Sequence, residues 1–224
     1  MAESARSVHV RNPGAGALAL EADLPAEEIG RAESYRLLSL LFAGPLPGDL
    51  VATLGNADPD DTALGRSLAR LGECARDAGR SGIAADYSIL FIGAPSPRLM
   101  PYASYYRDGH LFGHTLADLR ADLTDLGIAA FEGASEPEDH LATLCEVMAG
   151  LILGSFGERA PIAAQKSFFE RYLLSWCDRF FDDLEEAEEA DRFYRAVAGL
   201  GRTFFNLEAE GFRMVASGRW SERK

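Results

Sequence analysis

The densest cluster of groups able to do chemistry is "EPEDH", Glu136 to His140. Glu138, Asp139 and His140 fall in what the pattern predicts to be the first turn of a helix, where carboxylates interact favourably with the helix dipole. Beside a carboxylate, His140 could serve as an acid/base group or as a binding handle whose charge changes near neutral pH. A second histidine pair, His110 and His114 in "HLFGH", has the spacing of two metal ligands on one helix face. It lacks the glutamate of the metalloprotease pattern, and Gly109 and Gly113 weaken the helix it would need. Tyr102, Tyr105 and Tyr106 offer apolar bodies with polar tips, which suit either gripping a peptide or filling a core. No nucleophile elbow, phosphate loop or dinucleotide fingerprint occurs in the sequence. An enzyme reading therefore rests on Asp139 and His140 alone.

Composition narrows the partners. The 224 residues carry a formal net charge of -13, with 47% hydrophobic residues. That balance argues against non-specific binding to nucleic acid or anionic membrane and favours a basic partner. Cys74, Cys145 and Cys177 are too far apart for a zinc pattern and odd in number, which predicts reduced, buried thiols in a cytoplasmic protein. The N-terminus has no apolar stretch of a secretion signal, and no segment approaches the ~20 apolar residues of a membrane span.

Helical spacing dominates the elements that must position these groups. Asp23 is the expected N-cap of a first helix with Pro25 just inside it, and Gly44-Pro45 stops that helix. A short helix is expected near residues 49–54. Leu64, Leu68 and Leu71 mark another that ends at Gly79, and Ser81 caps the next, which carries Ile83, Tyr87, Leu90 and Phe91. Leu116, Leu119, Leu123 and Leu126 form a stripe, as do Leu141, Leu144, Met148 and Leu151. Two long helices follow, joined by the acidic run "DDLEEAEEAD", which reads as a solvated helix end and connector. Between the halves lies "LFIGAPSPRLMPYASYY", residues 90–106, a connector too broken by proline for helix or regular strand, yet aromatic enough to need burial. No strand shows convincing alternation. The expectation is an all-α protein: a single globular helical bundle of roughly eight or more helices over residues 23–215, with flexible ends at 1–22 and 216–224.

Three motifs then occur in order: "YSILFIGAPSPRLMPYASYYRDG", "EPEDHLATLCEVM" and "SFFERYLLSWCDRFF". With "YRLLSLLFAGP" at 35–45, they resemble the TorD/DmsD/NarJ family of redox-enzyme maturation chaperones over roughly residues 27–207. The matching positions are Tyr87, Leu90 and Phe91; Pro101, Tyr102, Ser104 and Tyr106; Glu136, Pro137, Asp139 and His140; and Leu173 with Trp176. Tyr102 stands where some relatives carry Trp, and Tyr172 stands where they carry His.

The resemblance implies a TorD-like, all-helical, cytoplasmic chaperone that is not an enzyme and carries no cofactor of its own. Its partner would be the catalytic subunit of a molybdenum-containing oxidoreductase, bound through its N-terminal, twin-arginine leader until the cofactor is inserted. It further implies a peptide-binding surface of Tyr87, Phe91, Pro101, Tyr102, Ser104, Tyr106, Glu136, Asp139 and His140, with no metal site and no nucleic-acid partner. A homodimer is compatible with this reading. The alternatives are a generic helical scaffold and a small hydrolase built on Asp139 and His140.

Overall fold

The computed structural model describes residues 24–56, 60–93, 96–128, 136–188 and 192–217. Over these residues the chain forms nine α-helical segments and two π-helical turns, with no sheet. In chain order they are α1 (Ala26–Ala43), α2 (Gly48–Gly55), α3 (Ala63–Tyr87), a π turn at Ser88–Ile92, α4 (Ala103–Asp108) and α5 (His114–Asp125). Then come α6 (Leu141–Leu153), α7 (Ile162–Phe169), a second π turn at Glu170–Leu174, α8 (Ser175–Glu186) and α9 (Arg192–Ala216). The expected all-α bundle is the observed one.

The centre is α6. Eleven of its 13 residues are buried. A helix apolar on nearly every side must be surrounded by others. Helix α1 packs along it, burying Tyr35, Leu38, Leu41 and Phe42. Helix α9 packs on α3 and α8, and the short α4 sits against α5 and α8. One polar tie joins the first helix to the last: Arg31 donates from Nε and Nη2 to the Glu208 carboxylate at 2.7 and 2.8 Å. Tyr35 adds its hydroxyl to the same carboxylate at 2.9 Å. The three cysteines are buried and unbridged, and burial pushes their thiols up from the ordinary range. No helix among the described residues is long and apolar enough to cross a membrane.

Several boundaries differ from the expectations. Pro25 precedes α1 as its N-cap rather than lying inside it, and Asp23 lies outside the described residues. Ser81 starts no helix. The chain stays helical from Ala63 to Tyr87 and absorbs a break at Gly79, whose φ of 63° suits a residue without a β-carbon. The 90–106 connector is helical at both ends, with Leu90 in the π turn and Ala103 opening α4. Of its tyrosines only Tyr106 is buried, and Tyr105 is 41% exposed. Leu126 caps the end of α5 and is exposed, while its three stripe partners are buried. The expected flexible ends fall outside the described residues apart from Ala216, which closes α9, and Ser217.

Candidate functional site

Two backbone strands, too short to make a sheet, bring the two motif segments together. Leu141 N–H donates to the Pro101 carbonyl at 2.8 Å, and Ala103 N–H donates to the Asp139 carbonyl at 3.0 Å. Tyr102 and His140 thereby form an isolated antiparallel bridge. Their rings meet edge to face, 4.9 Å between centroids. Segments distant in sequence are thus fixed back to back at the mouths of α4 and α6.

The expected helical first turn at Glu138–His140 is replaced by this pairing. Helix α6 starts at Leu141, and His140, with φ -65° and ψ 139°, is its N-cap. The His140 Nδ1 accepts the Ala142 N–H at 3.1 Å. Asp139 caps the other helix: its Oδ2 accepts the Ser104 N–H at 2.8 Å. Each side chain satisfies an orphan donor at a helix start. The carboxylate and the imidazole hydrogen-bond to different backbone amides, so they do not form the oriented pair a hydrolase would use. Burial holds the His140 imidazole down to about 4. The ring is neutral at physiological pH, which corrects the expectation of a charge that changes near neutrality.

The surface left by this arrangement is a cleft of about 230 Å³. One wall is the Ala43-Gly44-Pro45 turn that ends α1. Tyr87, Phe91, Ile92, Pro101, Tyr102, Glu136 and His140 complete the lining. Tyr87 is held upright by its hydroxyl, which donates to the Phe42 carbonyl at 3.1 Å, and by Phe91 at 5.1 Å between ring centroids. Tyr102 donates a short hydrogen bond to Glu136 Oε2. Burial and the neighbouring Glu136 charge push the Tyr87 hydroxyl up to about 12. Burial, followed by that hydrogen bond, raises Tyr102 too. Among the described residues, Glu136 is the one charged side chain lining the cleft.

Six of the nine sequence-chosen residues therefore converge on the cleft: Tyr87, Phe91, Pro101, Tyr102, Glu136 and His140. The other three do not line it. Ser104 and Asp139 are fully buried behind it, and Tyr106 stacks on Trp176 at 5.4 Å while donating to Asp183 at 2.7 Å. Asp139 is enclosed and does not line the cleft. Tyr172 donates to Asp122 at 2.6 Å, away from the cleft. The lining residues that sequence reasoning missed are Ala43, Gly44, Pro45 and Ile92. Ile89 and Ile92, 50% and 59% exposed, carried a signal. In "SILFI" four apolar residues in a row cannot all face one core, and Leu90 takes the buried side.

A family model for the nitrate reductase delta subunit matches residues 57–182. The chain is 30% identical over 200 residues to the chaperone protein TorD of Vibrio cholerae serotype O1, covering 80% of this chain and 90% of that protein. The chain belongs to the TorD/DmsD/NarJ family of redox-enzyme maturation chaperones. A second TorD, from Aliivibrio fischeri, is 29% identical over 199 residues, covering 85% of this chain and 88% of that protein. A redox enzyme maturation protein from Archaeoglobus fulgidus shares the TorD-like fold, with a TM-score of 0.51 at 20% identity over 80% of this chain and 93% of that one. The matched 57–182 span contains both segments that this TorD-family member joins at the Tyr102–His140 bridge.

Proposed function

We propose that this protein is a cytoplasmic, client-specific chaperone, not an enzyme. On this reading it binds the N-terminal, twin-arginine leader of a molybdopterin oxidoreductase catalytic subunit and holds that subunit until cofactor insertion and assembly are complete. The observation that carries the reading is the chemistry of the cleft, which among the described residues has apolar and aromatic walls, one carboxylate at Glu136 and no cation. An arginine-bearing segment with apolar residues has the complementary composition. Glu136 receives a guanidinium in exchange for the Tyr102 hydroxyl, since charge-assisted pairs are the stronger hydrogen bonds. Phe91, Ile92 and Tyr102 take the apolar residues, and Asp139 holds the Tyr102 segment in place from behind. The net charge of -13 draws a basic leader from a distance.

Calorimetry with a synthetic twin-arginine leader tests this. Binding is expected in the micromolar range, about -8 kcal/mol, weaker at high salt and weaker when both arginines are changed to Gln. Glu136→Gln should shrink the difference between the two peptides. Tyr102→Ala should cost on the order of 2 kcal/mol of affinity at unchanged helix content. A wild-type protein that binds neither peptide at low salt refutes the reading.

A further inference from the structure

The chain carries its own short segment with the composition the cleft selects. Residues 5–12, "ARSVHVRN", contain Arg6, Arg11, Val8 and Val10 and no carboxylate. In a chain of 35 acidic and 22 basic residues, this is a local inversion of charge. The following eleven residues, "PGAGALALEAD", are mostly small and lead to Leu24, where the described structure begins. Leu24 packs on the core, and α1 starts two residues later. The far end of α1 is Ala43, which with Gly44 and Pro45 forms one wall of the cleft.

Length permits the return. The 18 residues of α1 span about 27 Å, and an eleven-residue tether reaches up to about 36 Å when extended. Charge complementarity favours the arm. Among the described residues the cleft offers Glu136 and no cation, and the arm offers two guanidinium groups flanking two small apolar side chains.

We propose that residues 5–12 are an internal competitor for the cleft. They dock there in the absence of a client, with an arginine on Glu136 and the valines against Phe91 and Ile92. The regulatory consequence rests on the leader-binding reading of the same cleft; the docking itself does not. A short tether sets an effective concentration on the order of millimolar. An arm of even weak intrinsic affinity then occupies the cleft for most of the time, and only a leader that outcompetes it is retained. The device sharpens the choice of client, because weakly matching N-termini are excluded.

Two measurements on the full chain test the proposal. In the first, photo-reactive p-benzoylphenylalanine replaces Val10. Irradiation is expected to link it, within one chain, to residues 43–45, 87–92 or 101–102. Links confined to other surfaces, or links only between two copies, overturn the proposal. In the second, the double variant Arg6→Gln/Arg11→Gln is expected to bind the synthetic leader roughly three- to tenfold more tightly than wild type, as the blocked fraction is released. Unchanged affinity in a protein that does bind the leader overturns the competition. If neither protein binds the leader but the cross-link lands in the cleft, the leader reading fails and the docking of the arm stands.

Discussion

Replacing His140 with Gln should remove a defined part of this protein's sensitivity to acid. The imidazole is 6% exposed, and its Nδ1 is an acceptor for the Ala142 N–H at the start of the central helix. Protonation would cancel that acceptor and place a positive charge on a largely buried ring. Burial accordingly moves the group from 6.5 to about 4. A base whose folded pKa lies below its unfolded value contributes stability that is fully present above the unfolded pKa. That contribution is lost as pH falls through the folded one. The window is therefore from about 6.5 down to about 4. At about 1.4 kcal/mol per unit, the whole contribution is on the order of 3 kcal/mol, and about 2 kcal/mol of it should be gone by pH 5. Urea unfolding of wild type and His140→Gln at pH 7 and pH 5 measures it. Carboxylate effects common to both proteins cancel in the comparison. Wild type should lose about 2 kcal/mol more than the variant between the two pH values. Equal losses would refute the argument, because the ring would then be protonated as readily in the folded chain as in the unfolded one.

Two further outcomes follow from the packing. Asp139→Ala removes the acceptor of the buried Ser104 N–H, and should cost about 1–3 kcal/mol. Hydrogen exchange at the Ser104 amide should accelerate more than exchange in α9. Within α9, a β-carbon at Gly201 would overlap the Phe181 ring, whereas Gly211 has open space around it. Gly201→Ala should therefore destabilise by about 1–3 kcal/mol, and Gly211→Ala should stabilise by up to about 1 kcal/mol, both read as shifts in the denaturation midpoint.

Local regularities in the sequence were enough to specify the buried faces of the main helices. The stripe Leu116, Leu119 and Leu123 and the stripe Leu141, Leu144, Met148 and Leu151 are buried faces. A period of 3.6 residues reports which side of a helix leaves water, and that depends only on near neighbours. Gly44-Pro45 ended α1 for an equally local reason. The chemical identity of the cleft was also legible, since seven of its lining residues lie in the motif segments 87–109 and 136–148. Tertiary structure decided where those groups point. Asp139 and His140 were read as successive residues of one helical turn, but backbone pairing with Pro101 and Ala103 pulls them into an extended stretch. Each then caps a different helix, and only His140 reaches the cleft wall. The contribution of Ala43, Gly44 and Pro45 to the cleft lining likewise came from the packing of α1 along α6. Hydrogen bonds between segments remote in sequence leave no period in either segment. Their pattern becomes visible only when the core has set the two chains side by side.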